Sequence, residues 1–227
     1  MIELQRNGDV FVLRMVAEDN RFNARFISSL NQALDEVEGS TSPAALVTTG
    51  QGKFYSNGLD LEWMFGEGRD RIAEHVANVH DTLLRVLTLP MITVAAINGH
   101  AFAAGGMLAL AHDFRVMRAD RGFFCMPEVD IRIPFTRSMD ILIRSRLPRM
   151  VAPEVMCTAR RYGGTEAADR QIVNHSVPEA EVLPRAVEMA QSLADKDRKT
   201  LSAIKRQMYA DVIEVFGRDD FGDFGSR

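Results

Sequence analysis

The sequence predicts an α/β protein with a helical C-terminal section, and three observations lead there. Short β-rich apolar runs alternate with stretches of helical spacing through roughly the first 137 residues. Those runs are continuously apolar, as in parallel strands covered on both faces, and do not show the in-out pattern of a half-exposed sheet. From about residue 138 onward strand signals become scarce and helical patterns dominate.

Each element has its own reason. VFVLRMV, residues 10–16, is β-branched and bounded by polar residues, hence a strand. FNARFISSLNQALDEVE places Phe26, Leu30, Leu34 and Val37 at helical spacing. After the STSP turn, AALVTTG is a short strand ending at Gly50. A glycine-rich loop follows, and residues 70–88 return to helical spacing through Ile72, Val76, Val79, Leu83 and Val86. MITVAAI, introduced by Pro90, is the next strand, AGGMLALAH a helix and FRVMRA a strand. Such alternation implies βαβ units with right-handed crossovers. The segments SMDILIRSRL, PEVMCTARR, PRAVEMAQSLAD and TLSAIKRQMYADVIEVF are predicted helices, and the Gly- and Asp-rich end GRDDFGDFGSR is expected to fray.

Composition removes several classes of function. The chain has 227 residues, 46% hydrophobic and 26% charged, enough to bury a core without disulfides or metal. No apolar run reaches the roughly 20 residues of a membrane-spanning helix. MIELQRNGDVFVL lacks the basic cap and apolar block of an export signal, and GSR is not an SKL-type address. A net charge of −4 gives no electrostatic case for nucleic acid. Cys125 and Cys157 are too few and too far apart for a zinc site and fit reduced thiols, so a cytoplasmic protein is expected.

Two corners carry the chemical signal. GKFYSNGLDL, residues 52–61, and INGHAFAAGGMLAL, residues 97–110, place glycines and small residues between a strand and the following helix. Ligands of open α/β sheets bind at such carboxyl ends. The first N–H groups of the helix lack intrahelical partners there, and its dipole is positive, so an anionic oxygen can be held without a side chain. The alternative is that the small residues only permit tight strand–helix packing.

GKFYSNGLDL, INGHAFAAGGMLALAHDFRVM and RGFFCMPEVDIRI, in this order, resemble the crotonase (enoyl-CoA hydratase/isomerase) superfamily, and within it the plant-type Δ3,Δ2-enoyl-CoA isomerases. The resemblance runs from about residue 5 to about 175. It implies a spiral of ββα turns over residues 1–137 holding an acyl-CoA site, and a helical region over 138–217 that helps assemble a homotrimer or hexamer, with 218–227 a flexible tail. It also implies an acyl-CoA thioester as substrate, with no further cofactor and no metal. By matched position, the amides of Leu59 and Ala104 would grip the thioester oxygen, with Ser56, Asn57, Gly58, Asp60 and Gly105 around them.

Such an oxyanion hole needs a base, and Glu128 in MPEVDI is the candidate. Hydratases of the family use a second glutamate three residues after the second donor; here that position is Met107. Hydration benefits from two carboxyl groups, whereas moving a double bond needs one group that takes a proton from C2 and returns it at C4. The resemblance therefore implies a 3-enoyl-CoA to trans-2-enoyl-CoA isomerase. The alternatives are another thioester reaction (dienoyl isomerisation, hydrolysis, decarboxylation or dehalogenation) or a non-catalytic CoA-binding subunit. Apolar neighbours in FFCMPEVDI are expected to raise the pKa of Glu128.

Other residues are read more plainly. Asp60 is expected to cap the LEWMF helix or anchor its loop, and Asp130, two residues beyond Glu128, would share its face if the segment is extended. His100 is read as packed, and Cys125 has no histidine at a spacing that marks a partner. Arg132, where the family commonly has glycine, would narrow the acyl pocket or pair with a carboxylate. Trp63, Met64 and Phe65 are either pocket wall or core; Lys53, Arg21 and Arg25 are CoA neighbours or solvated charges. The cluster Arg144, Arg146, Arg149, Arg160 and Arg161 reads as a subunit contact or a solvated face. The chain is short for the superfamily, so a more open tunnel is expected.

Overall fold

A computed structural model describes residues 1–40, 43–216 and 218. The predicted tail over 218–227 therefore lies outside the described residues except for Arg218.

The chain runs β1 (Ile2–Asn7), β2 (Val10–Met15), β3 (Arg21–Phe22), α1 (Ala24–Glu38), β4 (Ala45–Gly50), β5 (Phe54–Ser56), β6 (Gly58–Leu59), α2 (Leu61–Phe65), α3 (Ile72–Thr88), β7 (Ile92–Ile97), β8 (His100–Phe102), α4 (Ala104–Ala111), β9 (Phe114–Arg118), β10 (Phe124–Cys125) and α5 (Glu128–Ile131). It continues through α6 (Arg137–Arg146), α7 (Val151–Thr158), α8 (Gly164–Asp169), β11 (His175–Val177), α9 (Glu179–Gln191), α10 (Arg198–Met208) and α11 (Ala210–Phe216). Six strands form one sheet in the order β1-β2-β4-β7-β9-β11, parallel except for the β1–β2 pair, and three short strands form a second in the order β10-β8-β5.

A repeated turn generates this architecture. A long strand in the large sheet is followed by a short strand in the small one and then by a helix: β4, β5, α3; β7, β8, α4; β9, β10, α5. The result is a spiral of ββα turns, the predicted fold. Alternation along each strand sends successive side chains to opposite faces. Val10, Val12, Val47, Val94, Ala96 and Val116 meet α9 through Val182, Ala186 and Ala190. Leu13, Met15, Leu46, Ala95, Ile97 and Met117 join a larger core with α1, α3 and α4.

The structure adds elements that sequence patterns did not reveal. β1 is an edge strand with mostly exposed side chains, joined to β2 through Gly8 at φ 62°. β11 extends the large sheet from within the region read as helical, and β5, β6, β8 and β10 are two or three residues long. The last predicted helix is broken at Tyr209, whose φ of −109° leaves the helical region and turns its hydroxyl to the guanidinium of Arg146. α9 begins at Glu179, five residues before the Pro184 that marked its predicted start.

Candidate active site

The first corner is held by side chains that hydrogen-bond to the backbone. Asn20, fully buried with φ 49°, donates from Nδ2 to the carbonyls of Phe54 (3.2 Å) and Tyr55 (3.0 Å). Ser56 Oγ donates to the Asn20 carbonyl (2.7 Å) and accepts from the Gly58 amide (3.1 Å). The Asp60 amide donates to the Phe22 carbonyl on the paired strand β3 (3.1 Å). Because amide directions alternate along a strand, the Leu59 N–H points to the edge away from β3.

The second corner is β8 running into α4 through Ala103, at φ 48° and ψ −127°. For a residue with a Cβ this conformation costs on the order of 1–3 kcal/mol and persists only where the surroundings impose it. Here the Ala103 amide donates to the Cys125 carbonyl (3.0 Å) and its carbonyl accepts from Met107 (3.0 Å). No side chain caps α4, so its first amides, beginning with Ala104, stay open.

The two corners touch. A Cβ on Gly58, itself at φ +80°, would lie 3.0 Å from the Ala104 nitrogen and 2.9 Å from the Phe102 carbonyl oxygen. A Cβ on Gly105 would lie 2.4 Å from the Ser56 carbonyl oxygen. Only glycine allows this approach at either position.

Between the corners opens a cavity of about 260 Å³ lined by Asn57, Leu59, Ala103, Ala104 and Glu128, with Leu61, Phe102, Met107, Ile131, Ile133 and Met139 as its apolar wall. Glu128 begins α5, is 6% exposed, and among the described residues its Oε2 has no hydrogen-bond partner. Burial pushes its carboxyl up from the ordinary 4.5 to about 7, with its own backbone amide pulling back slightly. A carboxyl group poised near neutrality can take and return a proton with little driving force lost in either direction. Among the described residues no three His, Cys, Asp or Glu side chains cluster as a metal would need, and no helix is long and apolar enough to cross a membrane.

The structure thus brings Leu59, Ala104, Asn57 and Glu128 to one cavity, while Ser56, Gly58, Asp60 and Gly105 form the frame behind it. Asp60 caps α2, accepting from the Trp63 amide (3.2 Å), and also accepts from Asn23 Nδ2 (3.2 Å). Several expectations are corrected. The 128–131 segment is helical, so Asp130 does not share Glu128's face and is exposed. Arg132 caps that helix at φ 59°, the left-handed region that favours glycine; it is exposed and makes no ion pair among the described residues. Trp63, Met64 and Phe65 are not the wall: Met64 is core, Trp63 packs edge-on against His75 and Phe65 is 49% exposed. Arg146 is half-buried and does more than face solvent, since it donates to the carbonyls of Leu110 (2.8 Å) and His112 (2.7 Å).

Arg21 does line the cavity, paired with Asp19 at 2.8 Å, whereas Lys53 lies over the Phe54 ring outside it and Arg25 is exposed. His100 packs among Phe54, Phe102 and Phe123, and burial with nearby Lys53 lowers its pKa. Cys125 donates to the Ala159 carbonyl (3.2 Å), and burial pushes its thiol to about 11. Asn20, Ala103 and the wall residues Leu61, Ile133 and Met139 escaped sequence reading. Of these only Asn20, a polar residue with tolerance for the left-handed region, carried any signal.

The model for enoyl-CoA hydratase/isomerase matches residues 6–216. Enoyl-CoA delta isomerase 3 of Arabidopsis thaliana is 35% identical over 225 residues, covering 95% of this chain and 94% of its own. Carnitinyl-CoA dehydratase of Escherichia coli is 30% identical over 216 residues, covering 94% of this chain and 82% of its own. The solved structure of human mitochondrial Δ3-Δ2-enoyl-CoA isomerase superposes with a TM-score of 0.87 at 23% identity, over 94% of this chain and 84% of that one, a likeness of fold. With the match running through both corners and on to α11, this chain belongs to the enoyl-CoA hydratase/isomerase family.

Proposed function

We propose that this protein moves the double bond of a 3-enoyl-CoA to the trans-2 position. The observation that carries this reading is a buried carboxyl group, Glu128, sharing a largely apolar cavity with two backbone corners. The thioester oxygen sits between the amides of Leu59 and Ala104. Ionised Glu128 takes a proton from C2, and the electron pair delocalises onto that oxygen and toward C4. Protonated Glu128 then delivers the proton to C4, leaving the double bond between C2 and C3. A thioester α-proton is too weakly acidic for a carboxylate acting alone, and each preorganised donor lowers the barrier by about 3–4 kcal/mol. Met107 in the wall can neither take a proton from an attacking water nor deliver one to carbon, which favours isomerisation over hydration. No cofactor beyond the CoA of the substrate enters this scheme, and assembly as a trimer or hexamer is part of the same proposal, checked by light scattering on the purified protein.

Glu62 also reaches the cavity from its exposed position on α2, and this favours a second reading in which water is added to the double bond. Incubation with 3-hexenoyl-CoA and with trans-2-hexenoyl-CoA separates the two. A rise in conjugated enoyl-thioester absorbance, with deuterium exchange at C2 that Glu128→Gln abolishes while binding persists, supports isomerisation. Formation of 3-hydroxyhexanoyl-CoA from trans-2-hexenoyl-CoA, with no conversion of 3-hexenoyl-CoA, supports hydration and overturns it.

A further inference from the structure

Behind the cavity, and outside its wall, lies a chain of buried hydrogen bonds that the proposed chemistry does not use. Tyr55, Thr48 and His112 are each at most 1% exposed. Tyr55 Oη lies 2.8 Å from Thr48 Oγ1, Thr48 Oγ1 lies 2.9 Å from His112 Nε2, and His112 Nδ1 lies 2.8 Å from the Leu108 carbonyl oxygen.

Chemistry orders this chain in one direction. A carbonyl oxygen only accepts, so His112 Nδ1 carries a hydrogen. Complete burial lowers the imidazole to about 3 and keeps it neutral, so Nε2 is bare and accepts from Thr48. Thr48 has then used its hydrogen, and Tyr55 donates to it. Every donor and acceptor has one role.

The chain's ends coincide with the two corners. Tyr55 stands on β5 immediately before Ser56-Asn57-Gly58-Leu59, and His112 caps the C-terminus of α4, whose N-terminus is Ala104. Thr48 belongs to β4, central in the large sheet, and ties both to it. An eight-residue helix is a rigid rod about 12 Å long, so fixing its C-terminal end fixes where its first amide stands. At the other end the contacts of Gly58 and Gly105 supply a second point of registry.

We infer that Thr48, Tyr55 and His112 are positioning residues that set the spacing between the two main-chain donors. This rests on the reading of Leu59 and Ala104 as donors to the thioester oxygen. Removing the central hydroxyl by Thr48→Val strands both neighbours, whereas Tyr55→Phe removes the terminal donor and leaves no buried group orphaned. Thr48→Ser keeps the whole chain.

The test combines turnover of 3-hexenoyl-CoA with the infrared carbonyl band of bound hexanoyl-CoA carrying ¹³C at C1, a saturated thioester with no double bond to move. In the wild type the band shifts down on binding. Thr48→Val is expected to lose about 10- to 100-fold in kcat with KM changed by less than about twofold, and to return the band toward its free position. Tyr55→Phe follows in the same direction to a smaller extent, and Thr48→Ser restores both readouts. If Thr48→Val does not fold, the band and kcat of Tyr55→Phe decide. Variants that melt earlier but keep the wild-type kcat and band overturn the inference, leaving the three residues purely structural. A wild-type band that does not move on binding overturns the donor reading itself, and the positioning role with it.

Discussion

Two buried charged regions of this molecule are built in opposite ways. Under the C-terminal helices, Lys205 is 2% exposed, and its Nζ donates to Asp113 Oδ2 (2.6 Å) and to the Met91 carbonyl (2.7 Å). The same Asp113 oxygen accepts from the amide (2.8 Å) and the hydroxyl (3.1 Å) of Thr93. Nearby Arg115 donates to the Ile172 carbonyl (2.7 Å). In the cavity, Glu128 is about as deeply buried, and among the described residues its Oε2 has no hydrogen-bond partner. A buried charge with partners is held in one ionisation state and locks elements together. One without partners has its pKa moved toward neutrality and stays available for proton transfer. The first region is framework and the second is where the proposed reaction places its base, although both are ionisable groups in the same interior.

That contrast can be broken by experiment. Glu128→Gln keeps size and shape but removes the carboxylate that can accept a proton, so isomerisation is expected to fall by about 10²- to 10⁴-fold, read as kcat with 3-hexenoyl-CoA, with substrate affinity retained. Lys205→Met is expected to act on the other axis, costing about 3–5 kcal/mol in urea unfolding because the largely buried Asp113 keeps its bonds from Thr93 but loses its counter-charge, while kcat of the folded protein changes little. An equal loss of kcat in this variant would erase the distinction between the two regions.

The pH dependence of stability sharpens it. Glu128 stays protonated in the folded protein up to about pH 7, whereas in the unfolded chain it ionises near 4.5. Unfolding therefore gains as pH rises through that window, and the wild type is expected to lose about 3 kcal/mol relative to Glu128→Gln between those limits, with no further loss above. Parallel unfolding curves at pH 5 and pH 8 for the two proteins test this; a constant difference would mean that Glu128 is not held protonated. The smallest effect belongs to Asp60, a carboxylate partnered by the Trp63 amide and Asn23. Asp60→Ala is expected to cost about 1 kcal/mol in thermal unfolding, as for a lost helix cap, with proton exchange at C2 unimpaired.

Legibility differed from element to element for physical reasons. β4 and β7 were readable because a strand buried on both faces must be apolar throughout, and α3 because its inward side recurs at helical spacing. β5, β8 and β10 were not, since two or three residues carry no periodicity and they are strands only because they pair with one another. The carbonyl contacts of Arg146 were not legible because a guanidinium in a helix looks solvated until the fold brings the carbonyls it clamps beside it. The strained Ala103 was invisible, as alanine gives no sign that its φ will be positive.

By itself the sequence determined that two small-residue corners and one glutamate in apolar company exist, because bare backbone and hydrophobic neighbours are local properties of the chain. Only the tertiary structure decided that the corners meet, and that Glu128 is buried with an oxygen unpartnered among the described residues. Proton affinity and donor spacing depend on which groups share a few ångströms of space, and segments from residue 20 to residue 139 converge there only through the sheet that holds them.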